Sequence, residues 1–241
     1  MQLSHLAWPD VDRYLASSDV VIVPIGSTEQ HGPNGLCGTD YLVADSLSRA
    51  AGDAAGVLVA PPLVYGMSTH HMGFPGTVTL RPSTLIALVY DVVASLYRHG
   101  FRGFYFVNGH GGNIAALEAA FSEIHHVLEG CRFRLVNWWR LPEVQGLEAE
   151  IFGDRNGAHA TPSEISQTMN LLPGVVRPIE VPVEIARPTH YWPLSAADFR
   201  TTFPDGRMLS DPSLARGEHG KRLFDLCVRY LSEDARAFTR R

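Results

Sequence analysis

Apolar positions along this chain fall into two patterns. Four short runs are apolar almost without interruption: "VVIVPI" (20–25), "GVLVAPP" (56–62), "GFYFVNG" (103–109) and "FRLVNWW" (133–139). Their brevity and their β-branched and aromatic content predict strands buried in a sheet. Between the runs, apolar residues recur at helical spacing. Leu42, Val43, Ser46, Leu47 and Ala50 form one such stripe after Asp40. Pro82 and Ser83 open a second, carried by Leu85, Leu88, Val89, Val92, Leu96 and Tyr97 and closed by Gly100. Asn113 reads as the N-cap of a third, which holds Ile114, Leu117, Phe121, Ile124 and Leu128 and ends at Gly130. In "HATPSE" (159–164), Thr161 is an N-cap, Pro162 takes the first helical position and Glu164 completes a capping box. Asp211 and Pro212 are expected to start a last helix running to Phe224, Leu226 and Tyr230. Strands alternating with helices predict one α/β domain over residues 1–241, a mostly parallel sheet with helices on both faces. Such sheets bind ligands outside the carboxyl ends of their strands.

Polar residues cluster where that rule demands. "GSTEQHGPNGLCGTD" follows the first run and "NGHGGN" (108–113) the third, so Glu29, His31, Asp40 and His110 share one rim. Extended chain puts the side chains of Glu29 and His31 on one side. The turn at Gly32–Gly35 returns Asp40 towards them. Two carboxylates and two imidazoles suit Zn²⁺, Mn²⁺ or Fe²⁺ better than Ca²⁺, which prefers oxygen alone. A bridging Asp40 would let two ions sit about 3.5–4 Å apart.

Other readings compete residue by residue. Glu29 and His31 fit a plain hydrated loop until His110 joins them. Gly111 and Gly112 offer backbone N–H groups to an anion, although "NGHGGN" has neither a P-loop lysine nor dinucleotide-fingerprint spacing. Glu164 is, on spacing alone, a helix cap. His125 and His126 lie within a helix and are poor ligands, and Cys37 reads as a small packed residue.

Composition narrows the partners. Hydrophobic residues make up 45% and charged residues 19%, with a net charge of −5, which supplies no attraction for nucleic acid or an anionic membrane. No apolar stretch approaches the roughly 20 residues that span a bilayer. The start "MQLSHLAWPD" lacks the pattern of a secretory signal. Three scattered cysteines, Cys37, Cys131 and Cys227, argue against a disulfide framework and suit the cytoplasm.

"PIGSTEQHGPNGLCGTD" together with "NGHGGN" resembles the creatininase family of metal-dependent amidohydrolases. "HHMGFPGTVTLRP" (70–82) is similar to its F-P-G-T segment, "HATPSEISQTM" (159–169) to its H-A-G-x-x-E-T-S segment, and "DPSLARGEHGKRL" (211–223) to the opening of its last helix. The resemblance implies two divalent ions per chain. Glu29, Asp40 and His110 match the ligands of one; His31 and the bridging Asp40 match ligands of the second. Creatininase completes the second site with a glutamate where this chain has Gly112, and Glu164 is the expected replacement. His159 matches the histidine that transfers a proton around the scissile amide. Trp139 matches an aromatic lid, with Trp138 as rival, and Ser68 and Gly111 join it as expected substrate contacts. Asn34 stands where a second histidine is common, and Ala158 where creatininase has a carboxylate, so a substrate other than creatinine is expected. The implied activity is cleavage of a C–N bond in a small cyclic amide, a formamide or a short peptide, by a homo-oligomer, a hexamer in the family. The competing reading is a non-catalytic, anion-binding oligomer that uses the NGHGGN loop.

Overall fold

A computed structural model describes residues 1–180 and 193–240. Its strands are β1 (Val20–Ile25), β2 (Leu58–Val59), β3 (Gly103–Asn108) and β4 (Arg132–Asn137), all parallel, in the order β2-β1-β3-β4. The α-helices are α1 (Trp8–Leu15), α2 (Thr39–Ala55), α3 (Pro82–Arg98), α4 (Ile114–Val127), α5 (Pro142–Phe152), α6 (Pro162–Leu171), α7 (Ala196–Thr202) and α8 (Gly217–Thr239). This is a single-domain α/β fold with the expected parallel sheet.

The period-two alternation of a strand sorts the buried residues between two cores. Val20 and Ile22 of β1, with Tyr105 and Val107 of β3, face α2, α5 and α8. Val21, Val23 and Ile25, with Phe104 and Phe106, face α1, α3 and α4. Both faces are covered, which is why β1 and β3 are fully buried runs without polar alternation.

Pro24 lies inside the central strand β1, where a missing N–H would normally break a ladder. Its carbonyl accepts from Leu63 N at 2.9 Å, so its nitrogen faces the same side, where the chain after β2 has already left regular pairing. The second strand is shorter than the run 56–62 predicts. Gly56 is the left-handed cap of α2, and Pro61 and Pro62 have no N–H to continue the ladder.

Connections from β1 and β3 leave in opposite directions, β1 through α2 to β2 and β3 through α4 to β4. The carboxyl ends of these two adjacent strands therefore flank a topological switch point, where α/β sheets place ligands.

Besides β2, one helix start and the role of one cap residue differ from the sequence reading. Pro212–Leu214 is a separate 3₁₀ turn capped by Asp211, whose carboxylate accepts from Ser213 N, and the last helix begins only at Gly217. Asn113 does not cap α4 with its side chain. Its amide ties three loops together instead, donating to Gly26 O at 3.0 Å and to Asn108 Oδ1 at 3.2 Å and accepting from Met67 N at 3.0 Å.

Candidate metal centre

The chain leaves β1 at Ile25 and begins α2 at Thr39, and the opening polar motif occupies that excursion. Asp40 lies in the first turn of α2, and His110 follows β3. Gly109 lets the two approach. A Cβ there would stand 2.2 Å from the Asp40 carbonyl oxygen, so a side chain at this position cannot be accommodated without movement of backbone.

Glu29, His31, Asp40, His110 and His159 are all buried, and Glu164 is half-buried beside them. Ligand atoms converge in three triplets, each within 4.8 Å: Glu29, Asp40 and His110; His31, Asp40 and Glu164; Glu29, His31 and His159. Asp40 belongs to the first two, with Oδ1 3.0 Å from His31 Nε2 and Oδ2 3.2 Å from His110 Nδ1. Glu29 Oε1 is 3.3 Å from His110 Nδ1 and 3.7 Å from His159 Nδ1.

The outward nitrogens repeat one pattern. His31 Nδ1 lies 3.2 Å from Glu29 O, His110 Nε2 3.0 Å from Met67 O, and His159 Nε2 2.8 Å from Gln30 O. Each ring thus donates an N–H to a backbone carbonyl and turns its other nitrogen to the cluster. This is the arrangement that orients metal-ligating histidines. Glu29 Oε1, His31 Nε2 and Asp40 Oδ2 are buried without a hydrogen-bond partner among the described residues. Close pairs such as His31 Nε2 and Asp40 Oδ1 lie at contact distance but lack hydrogen-bond geometry. Lone pairs converging in a dry space repel unless positive charge intervenes, so the residues present fit a divalent cation.

The electrostatics express the same demand. Burial alone would lower the His31 pKa, but the Asp40 carboxylate outweighs it and lifts the imidazole to about 10. Burial likewise opposes charge on His110, yet Glu29 and Asp40 raise it well above the usual histidine range. Burial would raise Glu29, but His110 and His71 hold it well below the usual carboxylate range. His159 is shifted the other way, to about 3, by burial and then by the His31 charge, which keeps it neutral.

These groups open on a cavity of about 450 Å³ whose wall includes Gly111, Gly112, Trp139, Glu148, Ala158, His159 and Glu164. Trp139 lines it, whereas Trp138 is packed into the core. Gly111 also lines it, beside the Trp139 ring. Ser68 does not. Its hydroxyl is fully buried behind the cluster, donating to Glu29 Oε2 and lying 2.5 Å from Ser27 Oγ. Asn34 points elsewhere, to Arg177 O at 3.1 Å.

The sequence profile of the Creatininase family, described as creatinine amidohydrolase, matches residues 4–234. This chain belongs to the creatininase family. It is 27% identical to the creatinine amidohydrolase of Pseudomonas putida over 252 residues, covering 97% of this chain and 95% of that protein. It is 31% identical to the mycofactocin precursor peptide peptidase of Mycolicibacterium smegmatis over 235 residues, covering 91% and 88%. Among solved structures, one described as "Creatininase Mn" superimposes with a TM-score of 0.83 at 25% identity, covering 99% of this chain and 98% of that one. The named members are hydrolases of carbon–nitrogen bonds.

The structure shows why no side chain fits at Gly112. A Cβ would stand 2.3 Å from Met67 O and 2.4 Å from His110 Nε2. The His110–Met67 hydrogen bond occupies the space. Glu164 reaches the cluster from the opposite wall while also completing the capping box. Thr161 N and Thr161 Oγ1 both donate to its Oε2 at 2.9 Å. The two competing readings of Glu164 are thus geometrically compatible.

Several residues at the site escaped sequence reasoning. His71 Nε2 is 3.4 Å from Glu29 Oε1, and its Nδ1 faces the Gln30 amide nitrogen at 2.9 Å. Since Gln30 Oε1 accepts from Gly32 N, the amide donates to His71 Nδ1 and leaves the proton on Nε2, towards Glu29. Burial, and then His159, lower the His71 pKa and keep it neutral. The "HH" pair at 70–71 was the available signal, read only as part of a matched segment. Glu148 was missed because the helix that carries it was missed.

Proposed function

We propose that this chain is a metal-dependent amidohydrolase with two divalent ions per chain. Glu29, Asp40 and His110 hold one ion; His31, Asp40 and Glu164 hold the other. The observation that carries the reading is the shared geometry of His31, His110 and His159, each with one N–H on a carbonyl and one bare nitrogen turned to buried carboxylates. Zinc, manganese or iron held there would polarise the amide carbonyl and make a water nucleophilic at neutral pH.

The chain's own residues supply the remainder. Trp139 and Gly111 form the wall against which a small amide lies. His159, held neutral with Nδ1 facing the cluster, accepts a proton from the attacking water and returns it to the departing nitrogen. Ser68 fixes Glu29 from behind, and His71 lies against Glu29 Oε1 on the cavity side. The substrate class is a small cyclic amide, a formamide or a short peptide, in keeping with the creatinine and peptide substrates named for the relatives.

The anion-binding alternative is disfavoured by the cavity wall. It presents Glu29, Asp40, Glu148 and Glu164, and no lysine or arginine among the described residues. No helix among the described residues is long and apolar enough to cross a membrane. A cytoplasmic homohexamer remains part of the proposal, with exposed Trp8, Val127 and Val175 as apolar surface available to a neighbour; light scattering tests it.

Elemental analysis of protein purified without chelator, followed by a screen of lactams, formamides and peptides, tests the reading. Two equivalents of a transition metal with chelator-sensitive hydrolysis support it. No metal and no hydrolysis after metal addition overturn it.

A further inference from the structure

One carboxylate on the cavity wall belongs to none of the three ligand triplets. Glu148 lies on α5, lines the same cavity as Glu164 and Trp139, and is 8% exposed. Its Oε1 is buried with no hydrogen-bond partner among the described residues. Burial raises its pKa; the Ser163 hydroxyl partly relieves that, and the neighbouring Glu164 adds to it. A buried carboxylate without a counter-charge is unfavourable in the resting protein. The α5 residues that pack into the core are the apolar Val144, Leu147, Ile151 and Phe152, and no lysine or arginine side chain lines the cavity among the described residues. A group that is costly when alone and faces a substrate cavity is placed to meet a ligand.

We propose that Glu148 sets substrate selectivity by receiving a cationic nitrogen group, an ammonium or guanidinium, on the part of the substrate that extends away from the scissile amide. The inference rests on the amidohydrolase reading for its reaction, and on Glu148 and the cavity alone for its binding. The donor-rich cation supplies both the missing positive charge and a hydrogen bond to the carboxylate. A neutral substrate of the same shape would leave the carboxylate unpaired, and an acidic one would set like charge against Glu148.

The test uses the metal-loaded full chain and matched pairs of formamides and short amides, each pair differing only in a terminal ammonium against a methyl group. The parent should favour the ammonium member in kcat/KM by about ten- to a hundredfold, the range for a hydrogen bond to a charged group. Glu148→Gln should bring that ratio near one while keeping two metal equivalents. Glu148→Asp, which keeps the charge, should retain part of the preference and guards against reading a packing defect as lost recognition. Equal rates within pairs for the parent, or an undiminished preference in Glu148→Gln, overturns the inference. A second arm needs no turnover: calorimetric titration with methylguanidinium and with its neutral counterpart N-methylurea. Tighter methylguanidinium binding that disappears in Glu148→Gln supports the inference even where no amide is cleaved, a result that would count only against the amidohydrolase reading. Equal binding of the two probes overturns the inference.

Discussion

The two walls of the cavity are built by different means. One consists of the loops after β1 and β3 and the first turn of α2, which carry Glu29, His110 and Asp40. Rigid parallel pairing, Ile25 opposite Asn108, fixes how these loops meet. The other wall comes from α5, from residues 156–159 and from the first turn of α6, and it is positioned by helix packing of α6 against α2 and α8. The strand-edge wall resembles a metal cage whose parts hold one another. The helical wall brings single residues, His159, Glu164 and Glu148, each with a second occupation or none. The difference teaches that the sheet edge holds one group of candidate ligands in a fixed register, whereas the helical wall adds its candidates one at a time.

The largest effect expected of that comparison is at Asp40, the residue common to the two triplets proposed to hold the two ions. Asp40→Ala removes a charged ligand from both proposed ions, so both should be lost and turnover should fall by more than about 10²-fold, beyond what losing a ligand's supporting partner costs. Metal per chain and kcat measure it. Retention of both ions would show that the strand-edge wall does not bridge them.

On the helical wall, His159→Ala should lower turnover by roughly 10²- to 10⁴-fold with metal content unchanged, as for a general acid or base. The structure gives this experiment an edge. His159 Nδ1 shares a triplet with Glu29 and His31, so loss of an ion in the variant would make it a ligand and remove it from proton transfer.

Glu164 separates the walls more finely. In Glu164→Gln the amide oxygen can still accept from Thr161 N and Thr161 Oγ1, so the cap, worth about 1 kcal/mol, survives. A neutral amide offers a cation no compensating charge. About one metal equivalent and most activity should go, while the melting temperature in chelator stays near that of the parent. Full occupancy with normal turnover would return Glu164 to its cap alone.

How much of this was legible in the sequence follows the same division. β1 and β3 were legible because buried parallel strands are short uninterrupted apolar runs, and the residues after them because a polar switch follows each run; β4 was legible from its aromatic and aliphatic residues although it is only partly buried. α5 was not legible: "PEVQGLEAEIF" carries Gly146 at its middle and only a narrow apolar stripe, so its helical form depends on packing against α8. Glu148 vanished with it. His71 lies in the irregular stretch between β2 and α3, where no periodicity says which side chains turn inward. Ser68 lies in the same stretch and was read as facing substrate, because a sequence does not tell the front of a carboxylate from its back.

The smallest effect concerns that last residue and distinguishes the two sides of Glu29. Ser68 Oγ donates to Glu29 Oε2, Ser68 N is held by Thr79 Oγ1 at 2.8 Å, and the cavity lies on the far side of the carboxylate. Removing a hydrogen bond behind a ligand usually weakens metal affinity by 10- to 100-fold, an effect of about that order here. Ser68→Ala should therefore lose metal at limiting concentrations and recover turnover as metal is raised, with KM for the amide unchanged at saturation. A residue that touched substrate would behave oppositely, keeping its metal and raising KM. Titrating metal and substrate independently on this one variant decides which face of Glu29 the serine serves, because only the supporting role makes the defect reversible by metal.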